Sequence, residues 1–269
     1  MADRAKETWE SGDAYEQYVG RWSRLVAMEF LEWLDVETEA TWGDVGCGTG
    51  VLSEYILAGT APASILAMDR AQGFIRAAHS RLRDRRAQFS VGDALALPWG
   101  ANSCDATVSG LVLNFVSSPK AMAAEMVRVT RPGGIVAAYV WDYAGGMQMM
   151  RHFWDVAVEL NPHDSKLDQA ERFPICQPEP LERLFQEVGL HAVTVRSIDF
   201  VTVFQDFDDY WNPFLGKQGA APTYLASLDA AAQDRIRDAL KARLPRTADG
   251  SIRLNARAWA VQGIVPRRA

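Results

Sequence analysis

The residues with the clearest chemical potential lie in Asp44-Val-Gly46-Cys-Gly48-Thr-Gly50, a glycine-rich turn between an apolar run and a helical pattern. Glycines in a strand-to-helix turn let the backbone bend sharply and approach a ligand that a Cβ would hold off. About 20 residues further on, the run SILAMD ends in Asp69, where an acid can accept hydrogen bonds from both hydroxyls of a ribose. Asp69 therefore points to a nucleoside ligand. A third run ends in Gly92-Asp93-Ala94. Asp44, two residues before the first glycine, would repel a pyrophosphate and suits a ligand carrying an ammonium group. The dinucleotide spacing G-x-G-x-x-G would need glycine where Val51 stands, and the phosphate loop G-x-x-x-x-G-K-[ST] does not occur.

These residues need a scaffold that brings the ends of several strands together. From Thr41 to Asp142 short apolar runs alternate with segments of helical period, the mark of a parallel sheet covered by helices. ATWGDV, SILAMD and AQFSVGD read as strands. TGVLSEYILAG places Leu52, Tyr55 and Ile56 on one helical face and stops at Gly59. AQGFIRAAHSRLRD repeats Phe74, Ala78 and Leu82 at i, i+4 and i+8. CDATVSGLVLNFV is a fourth strand running into a loop, Pro119 opens a helix reaching Thr130, and RPGG separates that helix from a fifth strand, IVAAYVWD. The expected fold class is α/β with a doubly wound sheet.

Beyond Asp142, AGGMQMMRHFWDVAVEL reads as a helix, NPHDSKLDQAERFPICQPEP as an irregular loop and EPLERLFQEVG as a helix. HAVTVRSIDFVTVF reads as β, the stretch from Phe207 to Pro245 as mainly helical, and IRLNARAWAVQGIVP as a final strand. No repeat or low-complexity linker interrupts residues 1–269, so they are expected to form one domain.

Composition narrows the partners. The 269 residues are 48% hydrophobic and 23% charged, enough to bury a full core, with a formal net charge of −6. Residues 1–150 carry 18 acidic and 13 basic side chains, and the remainder 16 and 15, so neither half offers the basic face that phosphate neutralisation needs. Nucleic acid is thereby disfavoured. Cys47, Cys104 and Cys176 are odd in number and unpaired in spacing, which fits a reducing, cytoplasmic compartment. The charged start MADRAKETWESGD and the lack of a long apolar run argue against a secretory signal or membrane span. His79, His152, His163 and His191 lie far apart, and no metal is expected.

DVGCGTG, LAMD, VGDALALPW and the stretch from SCDATVSGLVLNFV to RPGGIVAAYVW resemble the successive motifs of class I S-adenosylmethionine-dependent methyltransferases. The likeness is to the small-molecule branch that includes the ubiquinone/menaquinone C-methyltransferase-like proteins. It covers roughly residues 40–143 and is specific for the cofactor, not for the methyl acceptor. It implies a mostly parallel seven-stranded, Rossmann-like sheet with helical insertions near the substrate side. It divides the chain into an N-terminal helical cap at 1–40, a cofactor-binding core at 41–142, and helical insertions at 143–180 and 205–247.

Residue by residue, the resemblance places Asp44, Gly46, Gly48 and Gly50 under the methionine part of S-adenosylmethionine. It places Asp69 on the ribose, Arg70 beside the adenine, and Gly92, Asp93 and Ala94 at the adenine ring and amine. Ser109, Gly110 and Leu111 line the sulfonium side, and Tyr18 and Arg21 contact the cofactor carboxylate from an N-terminal helix. The acceptor wall falls to Trp141, Tyr143, Trp154, Trp211 and Phe214, with His152 and Asp142 as the candidates for a general base. The expected activity is methyl transfer to an O, N or C nucleophile of a small molecule, with S-adenosylhomocysteine as product. Monomer and homodimer are both compatible with it. Two other classes compete: a noncatalytic or regulatory cofactor-binding protein, and a nicotinamide oxidoreductase, the latter opposed by Val51 and Asp44.

Overall fold

The computed structural model of the protein describes residues 20–216 and 219–267. The chain folds into two compact units. The first comprises Ser23–Val140, Gln177–Ile198 and the described residues from Trp259 onward, and the second the described residues up to Trp22 with Trp141–Cys176 and Asp199–Ala258.

In chain order the elements are α1 (Arg21–Leu34), β1 (Thr41–Val45), α2 (Val51–Gly59), β2 (Ser64–Asp69), α3 (Gln72–Arg81), β3 (Ala87–Val91), β4 (Cys104–Gly110), α4 (Pro119–Val129) and β5 (Thr130–Trp141). They continue with α5 (Gln148–Leu160), a 3₁₀ turn at Pro162–Leu167, α6 (Gln169–Arg172), α7 (Pro178–Glu187), β6 (His191–Phe204), α8 (Phe207–Trp211), a 3₁₀ turn at Asn212–Gly216, α9 (Ala220–Ala226), α10 (Ala230–Arg243) and β7 (Ile252–Ile264). The seven strands form one sheet in the order β3-β2-β1-β4-β5-β7-β6. β1 pairs in parallel with β2 and β4, β2 with β3, and β4 with β5. β7 is antiparallel to β5, since Gly133 donates to Val265 near one end while Asp142 donates to Arg257 at the other.

The strands form where the sequence is apolar enough to be covered on both faces. Val45, Ile65, Ala67, Ala106, Val108 and Val136 are fully buried. Three expectations sharpen against the structure. RPGG lies inside β5 as an irregularity: pairing with β4 jumps from Thr130 to Ile135, and Gly133 has a positive φ. The helix expected to run to Asp84 ends at Arg81, with Leu82 already extended. The loop between Asn161 and Pro178 contains the Pro162–Leu167 turn and α6, the latter capped by Asp168, which accepts from the Ala170 N–H at 2.9 Å.

From Ser23 on, α1 belongs to the unit that contains the glycine-rich turn, and its fully buried Phe30 meets the Tyr139 ring edge-on at 4.8 Å. Strand order reverses between β1 and β4. In doubly wound sheets the crevice beyond the carboxyl ends of the strands at such a switch point is where ligands bind. Among the described residues no helix is long and apolar enough to cross a membrane, and no group of three His, Cys, Asp or Glu could hold a metal ion.

Candidate functional site

The end of β1 runs into the glycine-rich turn, and β2 holds that turn in place. The N–H groups of Gly46 and Cys47 both donate to the Met68 carbonyl, at 2.8 and 2.9 Å, and Gly50 N–H closes the turn onto Cys47 O at 2.9 Å. Two glycines are needed for different reasons. Gly46 has φ +76° and a Cβ there would lie 2.5 Å from Val112 Cγ2, whereas Gly48 has φ +54° and a Cβ there would meet nothing within 4 Å. The backbone at Gly48 thus borders open space, as a ligand cradle requires. Gly46→Ala is expected to destabilise the protein by about 2–4 kcal/mol, combining overpacking with a disfavoured backbone. Urea denaturation checks this, and a loss below about 0.5 kcal/mol would contradict the close approach to Val112.

Asp44 is 1% exposed. Its Oδ2 accepts from Ser53 Oγ at 2.7 Å, while Oδ1 has no partner. Burial is the main force on it and pushes its carboxyl up to about 7, with the neighbouring Asp69 charge adding to the rise. A half-satisfied buried carboxyl beside a glycine cradle fits an incoming ammonium group, which would supply the missing partner and hold the carboxylate ionised. Burial and the two nearby carboxylates likewise raise the Cys47 thiol, so Cys47 is an inert part of the turn.

Asp69 ties the turn to the second strand. Its Oδ2 accepts from Gly48 N–H at 3.0 Å and its Oδ1 from Ala71 N–H at 2.8 Å. It does not cap α3, whose N-cap is Ala71. The remaining lone pairs leave the carboxylate able to accept from a diol. Burial raises its pKa despite those two bonds. Arg70 beside it is exposed. Gly92 N–H donates to Asp69 O at 3.1 Å, which brings the third strand's end to the same place. Asp93 is exposed and turns its carboxylate onto Leu95 N–H at 2.9 Å, with Ala94 buried behind it.

At the end of β4, Ser109 Oγ donates to the Val45 carbonyl at 2.7 Å, so this fully buried hydroxyl stitches β4 to β1. Leu111, just beyond Gly110, has φ +61° and donates to Tyr139 O at 2.8 Å. A left-handed leucine is a strained conformation that the surrounding structure has to impose. The sequence reading missed two residues here. Ser53 completes the Asp44 pair from inside α2. Asn114, beyond Leu111, is buried with both amide atoms lacking any partner. The one available signal for Asn114 was a lone polar residue inside the apolar run LVLNFV.

The residues expected to line the acceptor pocket lie in the other unit. Arg21 pairs through Nη1 with Asp209 at 2.9 Å, and its guanidinium lies 4.4 and 4.9 Å from the Trp22 and Phe204 ring centroids. Tyr18 lies outside the described residues. Trp154 and Phe214, expected in the acceptor wall, are buried: Trp154 donates to Gln169 Oε1 at 3.1 Å, and Phe214 stacks on Phe153 at 4.8 Å. Trp211 stacks on Phe207 at 6.2 Å. Trp141 and Tyr143 are also buried, near Phe200 and Phe173. Of the two base candidates, Asp142 spends Oδ1 on the Ala144 and Gly145 N–H groups and faces Arg257. His152 is half-buried, its Nδ1 has no partner, and desolvation lowers its pKa.

Residues 43–138 match the family described as "Methyltransferase domain". The chain belongs to the class I S-adenosylmethionine-dependent methyltransferases, in the small-molecule branch that includes the ubiquinone/menaquinone C-methyltransferase-like proteins. It is 34% identical over 187 residues to the ubiquinone/menaquinone biosynthesis C-methyltransferase of Dinoroseobacter shibae, covering 63% of this chain and 74% of that protein. It is 42% identical over 92 residues to the demethylmenaquinone methyltransferase of Renibacterium salmoninarum, and there it spans only 37% of the relative's length. Its fold is similar to that of Haemonchus contortus phosphoethanolamine N-methyltransferase 2, solved in complex with S-adenosyl-L-methionine. That likeness has a TM-score of 0.60 at 18% identity and covers 95% of this chain and 56% of the other.

Proposed function

We propose that the protein is an S-adenosylmethionine-dependent methyltransferase acting on an O, N or C nucleophile of a small molecule, with S-adenosylhomocysteine as the second product. The observation that carries this reading is Asp44: a buried carboxyl with one oxygen unpartnered, beside a backbone cradle that is open at Gly48. Asp44 would hold the cofactor's ammonium group, Asp69 its ribose hydroxyls, and Gly92, Asp93 and Ala94 its adenine. When bound, the cofactor would supply an electrophilic methyl on sulfur for the acceptor's electron pair, with the sulfur leaving as S-adenosylhomocysteine. The protein's tasks are to orient the acceptor and exclude water.

Within their own unit, Trp141, Tyr143, Trp154, Trp211 and Phe214 are the candidate acceptor wall. Most of these rings are sealed in packing, so they would act by shaping that unit's core. Where the acceptor must lose a proton, His152 is the better candidate: burial lowers its pKa, which favours the neutral form, and its Nδ1 has no partner. The acidic charge balance supports a small acceptor over nucleic acid, and the same reading takes the protein as a cytoplasmic monomer or homodimer.

Thermal shift with S-adenosylmethionine, S-adenosylhomocysteine, NAD and NADP tests the reading. A ligand at a hundred times its Kd stabilises by about 2.7 kcal/mol, a rise of several degrees. Both sulfur nucleosides should give it. Stabilisation by a nicotinamide dinucleotide alone would reject the proposal, and binding without methyl transfer to any component of a metabolite extract would favour a noncatalytic role.

A further inference from the structure

Asn114 is 7% exposed, yet neither its Oδ1 nor its Nδ2 has a hydrogen-bond partner. A buried amide with both ends unsatisfied is costly, and folded proteins keep such groups rarely. Its backbone setting is equally costly. Leu111 holds a left-handed φ of +61° and is pinned by its N–H to Tyr139 O, and Phe115 N–H closes a turn onto Val112 O at 2.8 Å. The segment from Ser109 to Ser118 contains no charged side chain. The group that completes Asn114 therefore has no ionic partner there and must itself offer a donor and an acceptor.

We propose, on the basis of the methyltransferase reading above, that Asn114 grips the methyl acceptor, pairing its amide with an uncharged donor–acceptor group such as a hydroxyl beside a carbonyl. The ammonium of the cofactor is accounted for by Asp44, which leaves the amide to the second substrate. Strain at Leu111 and the unpaired amide are then one device: the loop is held ready for a partner the chain does not contain.

The test compares the wild-type protein with Asn114→Leu, Asn114→Ser and Asn114→Asp. S-adenosylhomocysteine affinity is measured by calorimetry, and labelling of a small-metabolite extract is followed with methyl-labelled S-adenosylmethionine. The expected result is S-adenosylhomocysteine affinity within about twofold of wild type, a melting temperature for the Leu variant equal to or above wild type, and labelling reduced about tenfold or more in all three. Undiminished labelling by the Leu and Ser variants overturns the proposal while leaving the function intact. A tenfold loss of S-adenosylhomocysteine affinity overturns it by making Asn114 a cofactor contact. Labelling that rises in the Asp variant rejects the uncharged acceptor group. A wild-type protein that binds S-adenosylmethionine yet labels nothing rejects the methyltransferase reading itself, and the proposal with it. A Leu variant that melts well below wild type while labelling per folded molecule is unchanged assigns Asn114 to packing and also overturns the proposal.

Discussion

Asp44→Asn is expected to weaken S-adenosylmethionine binding at pH 8 by roughly 10- to 100-fold, and to raise the melting temperature of the unliganded protein at the same pH. The first effect follows from losing a charge-assisted contact worth about 1.5–3 kcal/mol. The second follows from burial, which lifts the Asp44 carboxyl from 3.8 to about 7. Between those values the folded chain keeps a proton that the unfolded chain has released. The stability this group contributes is therefore complete below about pH 4, falls as pH rises toward 7, and is gone above that. The rise corresponds to roughly 4 kcal/mol at most. Asparagine carries no such cost at pH 8.

Ligand binding reverses the dependence. An ammonium beside Asp44 needs the carboxylate, so wild-type affinity should fall about tenfold for each pH unit below the free-state value, with proton release on binding. In the asparagine variant the part of that slope that Asp44 supplies should vanish. Calorimetry from pH 5.5 to 8.5 in buffers of different ionisation enthalpy measures both quantities, and a variant that keeps the wild-type slope would remove Asp44 from the ammonium site.

Asp69→Ala should have a double effect. Two ribose hydrogen bonds are lost, which weakens cofactor binding by about 1–3 kcal/mol. The N–H groups of Gly48 and Ala71 lose the acceptor that fixes the turn, so the unliganded protein should be destabilised by a further amount of order 1–3 kcal/mol. Asp69→Asn, which keeps one acceptor oxygen, should recover part of the stability and less of the affinity. Urea denaturation separates the two terms, and an alanine variant as stable as wild type would show that the turn does not depend on the Asp69 carboxylate.

Much of the cofactor half was legible from sequence for a simple reason. Strands covered on both faces must be continuous apolar runs, so Trp42 to Val45, Ile65 to Met68 and Ala106 to Val108 announce themselves, and a glycine with positive φ such as Gly46 leaves few alternatives. The roles within the site were less legible, because they depend on which lone pairs remain free. Ser109 is a sheet stitch and Asp69 also a loop tie; their letters carry no sign of either. Asn114 shows the same limit, since an unpaired amide is a property of its surroundings. In the second unit Trp154 and Phe214 pack with Phe153 and Tyr224, an arrangement that composition alone does not show. Aromatic residues make both kinds of surface, and only burial separates them.

The stitch from Ser109 Oγ to Val45 O also sets a boundary for engineering. Upstream of it, and as far as Val112, whose methyls a Gly46 Cβ would strike, each change propagates into the glycine turn. Among the described residues, no hydrogen bond joins the segment from Leu113 to Ser118 to that turn. A library intended to change acceptor preference while keeping the methyl donor should therefore begin at Asn114 and leave Leu113, 1% exposed, in the core.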